Sequence, residues 1–128
     1  MCLALVDLKI RRGNQLLPKD AICILNEGIR LHQWALKTFD PSTILGEPSG
    51  HKKWIDLYED IIQRLNREPF YLDAQYHLQQ LHMDADIHQW YLDHLDYAIG
   101  AYGGIKHHKK WKARWLAIVQ LLEAMNNV

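Results

Sequence analysis

Cysteine is nearly absent. Cys2 and Cys23 are the only two in 128 residues, too few for a disulfide framework in a chain of this size, which excludes a small stapled secreted domain and points to a reducing, cytoplasmic setting. Net charge is missing as well: fifteen basic and fifteen acidic side chains cancel and the pI lies near 7.1. Nothing in the overall charge therefore draws the chain to nucleic acid, to an anionic membrane or to a polycationic partner, and any such partner has to be recognised by a local patch. No apolar run reaches the roughly 18 residues a membrane-spanning helix needs. The apolar opening carries Asp7 and Lys9, and Arg11 and Arg12 follow it instead of preceding it, which is not the order of a signal peptide. His-Glu-x-x-His, Cys-x-x-Cys and Gly-x-Ser-x-Gly are all lacking, as is the paired glutamate–histidine pattern of di-iron bundles, Glu-x-x-His. No low-complexity segment and no repeat at the usual solenoid periods stands out. No catalytic residue is assigned on this basis.

Helical periodicity is what the chain has in quantity. Steps of three and four residues connect Tyr71, Ala74, Leu78, Leu81, Ala85, His88, Leu92, Leu95, Ile99 and Tyr102, and only His88 among them is neither apolar nor aromatic. This seam predicts one long helix over about 70–102, closed by Gly103-Gly104. A helix beginning near Pro18 carries Ile22, Leu25, Ile29, His32, Leu36 and Phe39; another, capped by Ser49, carries Trp54, Leu57 or Tyr58, Ile61 and Leu65 and ends before Pro69; a last one carries Trp111, Trp115, Ile118, Leu122 and Met125. Residues 5–10 alternate, with Val6, Leu8 and Ile10 on one side and Asp7 and Lys9 on the other, and Gly13-Asn14 follows as a turn signal, which reads as a short strand or arm. The expectation is an all-α, single-domain helical bundle over 1–128, with about four amphipathic helices around the long one.

Three constellations could carry function. Eight histidines are present, and Asp73 precedes His77 by four residues as Asp84 precedes His88, so both pairs lie along one edge of the seam. The pairs are about 16 Å apart along the helix and cannot share an ion, so each needs ligands from another helix. His32, a seam position of its own helix, gives the candidate divalent-metal set His32, Asp84 and His88; the plainer alternative is surface ion pairs and hydrogen-bonded core histidines. Charge is also segregated: Lys106, Lys109, Lys110, Lys112 and Arg114 fall within nine residues after an acidic stretch. With tryptophans interleaved, this segment reads as a candidate nucleic-acid surface, although Trp111 and Trp115 sit on a seam and read equally as core. Finally Trp34, Tyr76, Trp90, Tyr91 and Tyr97 lie off the seams, where an interface with a protein partner or a second copy would place them.

The expected function is thus a non-enzymatic protein-interaction bundle, with nucleic-acid binding by 106–115 and histidine–aspartate metal binding as alternatives. Charging eight histidines as pH falls through about 6.5 would also make assembly acid-sensitive.

Overall fold

A computed structural model describes residues 2–67, 74–94 and 104–126. All regular structure among them is α-helical: α1 (Cys2–Arg11), α2 (Pro18–Thr38), α3 (Pro48–Leu65), α4 (Ala74–Asp93) and α5 (Gly104–Asn126). The chain divides into two compact units, Pro18–Leu72 and Met1–Leu17 with Asp73–Val128.

In the first unit α2 packs on α3. Pro18 opens α2 where its missing N–H costs nothing, and Asp20 in the first turn suits the positive end of the helix dipole. The apolar stripe buries Ala21, Ile24, Leu25, Gly28, Ile29 and Ala35, so it is turned slightly from the expected seam, in which Ile22 and Leu36 are only half-buried. Helix α3 buries Leu57, Tyr58, Ile61 and Leu65 as its periodicity predicts. Its cap differs from the expected Ser49. Glu47 caps it, the carboxylate accepting the backbone N–H groups of Ser49 and Gly50 at 3.0 and 3.1 Å, because Pro48 takes the first helical position and leaves the capping role to the residue before it. The loop between them is shaped by Asp40, whose carboxylate accepts the Ser42 N–H at 2.9 Å. Gly46 packs against that turn so closely that a Cβ would collide with the Asp40 carbonyl.

In the second unit α4 packs on α5, with α1 against α5. Leu81, Ala85, Trp111, Trp115, Ile118 and Leu122 are buried, so both tryptophans are core residues. Two expectations change here. Residues 5–10 belong to a helix, not a strand or arm: Asn14 N–H bonds to Lys9 carbonyl and Gly13 N–H to Ile10 carbonyl, each at 3.0 Å, with Gly13 at φ 71°. That is a glycine-terminated helix end, so the turn signal is a helix stop. The long helix is also shorter than its seam: α4 has 20 residues and gives way to a bend at His94. There the Trp90 carbonyl accepts both the His94 backbone N–H at 3.0 Å and the imidazole Nδ1–H at 2.8 Å, so the side chain folds back on the last turn. Tyr71, Leu95, Ile99 and Tyr102 lie outside the described residues.

No helix among the described residues is long and apolar enough to cross a membrane. Neither cysteine is a free thiol, so cysteine usage no longer supports the expected reducing compartment.

Candidate metal centre

Helix α4 presents His88 one turn after Asp84, and α5 opens with the consecutive pair His107 and His108. Packing of α4 on α5 brings the three rings together: His88 Nδ1 and His108 Nδ1 are 2.8 Å apart, and one nitrogen from each of the three residues lies within 4.8 Å of the others. A tetrahedral ion with metal–nitrogen bonds of about 2.05 Å needs its ligand atoms about 3.3 Å apart. The observed separations bracket that value, so ring movements of about an ångström close the site. Asp84, buried, holds its carboxylate 3.7 Å from His88 Nε2, on the side of the ring away from His108. A carboxylate behind a ligating imidazole orients the ring and raises its basicity. Tyr91 stacks face to face on His108 at 4.6 Å between centroids, and α4 thereby braces the buried His108 ring of α5.

The other unit contains a second histidine pair. His32 Nδ1 on α2 and His51 Nδ1 on α3 are 2.7 Å apart. His51 Nε2 lies within hydrogen-bonding distance of the Leu45 carbonyl, and a carbonyl can only accept, so Nε2 carries the proton and His51 Nδ1 is a lone pair. His32 then donates from Nδ1, leaving its Nε2 to accept from the Tyr58 hydroxyl at 3.5 Å.

Burial, with the neighbouring His51, pushes His32 down to about 4. Burial, followed by the charges of His108, Arg114 and Lys110, lowers His107 to about 4 as well, and burial lowers His108. These three rings therefore stay neutral below the ordinary histidine range, and the acid charging expected of eight histidines near 6.5 is smaller than the composition implies. Neutral imidazole is also the form that binds a metal. In the unfolded metal-free chain the same rings protonate near 6.5, so the unfolded state binds the first protons and stability is lost as pH falls from 6.5 toward 4. The urea midpoint of the metal-free protein should fall through that window; a level or rising midpoint would contradict the burial of neutral rings.

The structure divides the expected metal set, pairing His32 with His51 and placing Asp84 and His88 with His107 and His108. In the expected nucleic-acid segment, Arg114 is buried and bonds bidentately to Asp7 at 2.9 and 2.8 Å, and Lys112 donates to Gln89. Only Lys106, Lys109 and Lys110 are exposed, and the tryptophans offer no stacking platform from the core. Of the expected interaction residues, Trp34, Tyr76 and Trp90 are exposed; Tyr91 is half-buried against His108; Tyr97 lies outside the described residues.

His51, His107 and His108 lie outside the expected set, and the sequence holds a signal that pairs them with His32 and His88. His-Gln-Trp-x-Leu occurs at 32–36 and again at 88–92, and His-Lys-Lys-Trp at 51–54 and again at 108–111. The offsets of 56 and 57 residues exceed the solenoid periods. Burial follows the same register. Leu25, Gly28 and Ile29 correspond to Leu81, Asp84 and Ala85, and Leu57, Tyr58, Ile61 and Leu65 to Arg114, Trp115, Ile118 and Leu122; all fourteen are buried. The two hairpins are two copies of one pattern, with one extra residue between the histidines of the second. No family model, curated protein or solved structure matches the chain.

Proposed function

We propose that residues 74–126 bind one divalent ion of the zinc class through His88, His107 and His108, with Asp84 orienting His88. The observation that carries this reading is the convergence of three ring nitrogens within 4.8 Å. Three imidazole ligands suit zinc and its neighbours better than calcium or magnesium, which prefer oxygen. Three protein ligands also leave a fourth position for water or a partner's side chain.

A second reading, the interaction protein expected from the sequence, is favoured by α4 itself. Tyr76, Met83, Ile87 and Trp90 are all exposed and follow one another at steps of seven, four and three residues, an apolar stripe about 21 Å long on one helix face. Such a stripe fits a helix of a protein partner or of a second copy.

Native mass spectrometry of untagged protein with zinc reads both properties. A tightly held zinc ion is expected in the wild type and lost in His88→Gln. Zinc at 100 times its Kd should add about 2.7 kcal/mol of stability. An ion retained unchanged in His88→Gln would overturn the metal reading. A mass of one subunit at every concentration would remove self-association, leaving only a different chain as the partner.

A further inference from the structure

We infer that residues 18–65 hold a second, weaker site for the same class of ion, with His32 and His51 as its protein ligands. The inference takes its ion class from the reading of the 74–126 site, but its ligands belong to the other unit.

The two sites use the same atoms. In each hairpin the first-helix histidine of His-Gln-Trp-x-Leu meets the second-helix histidine of His-Lys-Lys-Trp through Nδ1, at 2.7 Å in one and 2.8 Å in the other. In each, the far nitrogen of a ring faces an oxygen: the Leu45 carbonyl behind His51 and the Tyr58 hydroxyl beside His32, the Asp84 carboxylate behind His88. An ion bound between the Nδ1 atoms of His32 and His51 needs both lone pairs. His51 already has its lone pair there. His32 acquires one by carrying its proton on Nε2, where the Tyr58 oxygen can accept it, so no charged group has to be created.

What differs is the completeness of the set. Register places Gly50 where the second copy has His107 and Gly28 where it has Asp84. At the position of Asp84 the first copy therefore has no carboxylate, and the nearby Glu47, which interacts with the His51 charge, is engaged in capping α3, so two imidazoles and water make up the coordination. Loss of a backing carboxylate alone weakens a metal site about 10–100-fold, so the second site should be at least that much weaker than the first.

Gly50 makes the difference reversible. A Cβ built there finds Glu47 Oε2 at 3.8 Å as its neighbour, an ordinary contact, and the residue lies within α3. Gly50→His would set an imidazole immediately before His51, as His107 stands immediately before His108.

The test is zinc titration of the full chain by calorimetry, in the wild type and in His51→Gln, His88→Gln and Gly50→His. Two binding steps are expected in the wild type. His51→Gln should abolish the weak step and leave the tight one, and Gly50→His should tighten the weak step at least tenfold. A wild type with one step that survives His51→Gln would overturn the inference, as would a second step indifferent to both His51→Gln and Gly50→His. A step that depends on His51, with none that depends on His88, would uphold this site and overturn the reading of 74–126. Helical circular dichroism of each variant without zinc separates lost ligands from lost fold.

Discussion

Asp84→Asn is expected to raise the zinc Kd of the 74–126 site about 10–100-fold while leaving the helices intact. The carboxylate is buried and stands one helical turn before His88, 3.7 Å from its Nε2. When Nδ1 carries the ion, the proton must be on Nε2, pointing at that carboxylate, and the negative charge stabilises the ring as it gives up electron density. Asparagine keeps the shape and removes the charge. The fold should tolerate the change, since burying a neutral amide costs less than burying a carboxylate. Competition for zinc against a chromophoric chelator measures the ratio directly. A Kd within threefold of the wild type, with the ion still dependent on His88, would show that Asp84 does not support the ligand.

The largest effect on stability is expected at Asp7, which belongs to neither histidine set. Its carboxylate holds the Arg114 guanidinium through two bonds, and the arginine side chain is 5% exposed against 25% for the aspartate. The guanidinium also lies over the Trp111 ring, 4.6 Å from its centroid. Asp7→Ala strands a positive charge in the core and should cost about 3–5 kcal/mol. The reverse change, Arg114→Met, should cost less, because the more exposed aspartate can be hydrated while methionine fills the space. The double variant Asp7→Leu with Arg114→Met should lie near the wild type, since a buried ion pair replaced by packed apolar side chains is often neutral or stabilising. Urea unfolding of these proteins, with Asp7→Leu alone added, closes the cycle. An Asp7→Ala loss below about 1 kcal/mol would place the pair among surface bridges of little worth.

Much of this architecture is legible in the residues themselves. Pro18, the stripe of α3 and the burial of Trp111 and Trp115 follow from spacing alone. The N-terminal helix does not, because Val6, Leu8 and Ile10 fit a two-residue period while Val6 and Ile10 also fit one helical turn, and Gly13-Asn14 serves a hairpin or a helix end equally well. Periodicity likewise extends the long helix past Asp93, because the seam residues keep their spacing whether or not the backbone bends at His94. For the site, His32 and His88 announce themselves as polar residues in apolar seams. Their partners are chosen by which helix packs on which, and that choice is written only in the repeated His-Lys-Lys-Trp. The Asp7–Arg114 bond joins residues 107 positions apart, and no local pattern foretells it.

Two like-patterned hairpins in tandem invite mistaken identity during folding. Helices α2 and α4 share one signature and α3 and α5 the other, so a nascent α2 meeting α5 would find apolar positions in almost the right register. Tandem copies in one chain are prone to such misassembly. The register breaks at one place above all: where α3 carries Leu57, α5 carries Arg114. Without Asp7 that guanidinium has no carboxylate, so an α2–α5 pairing formed apart from α1 would trap an unneutralised charge. The first ten-residue helix thus completes the α4–α5 hairpin by supplying the carboxylate that neutralises its buried arginine.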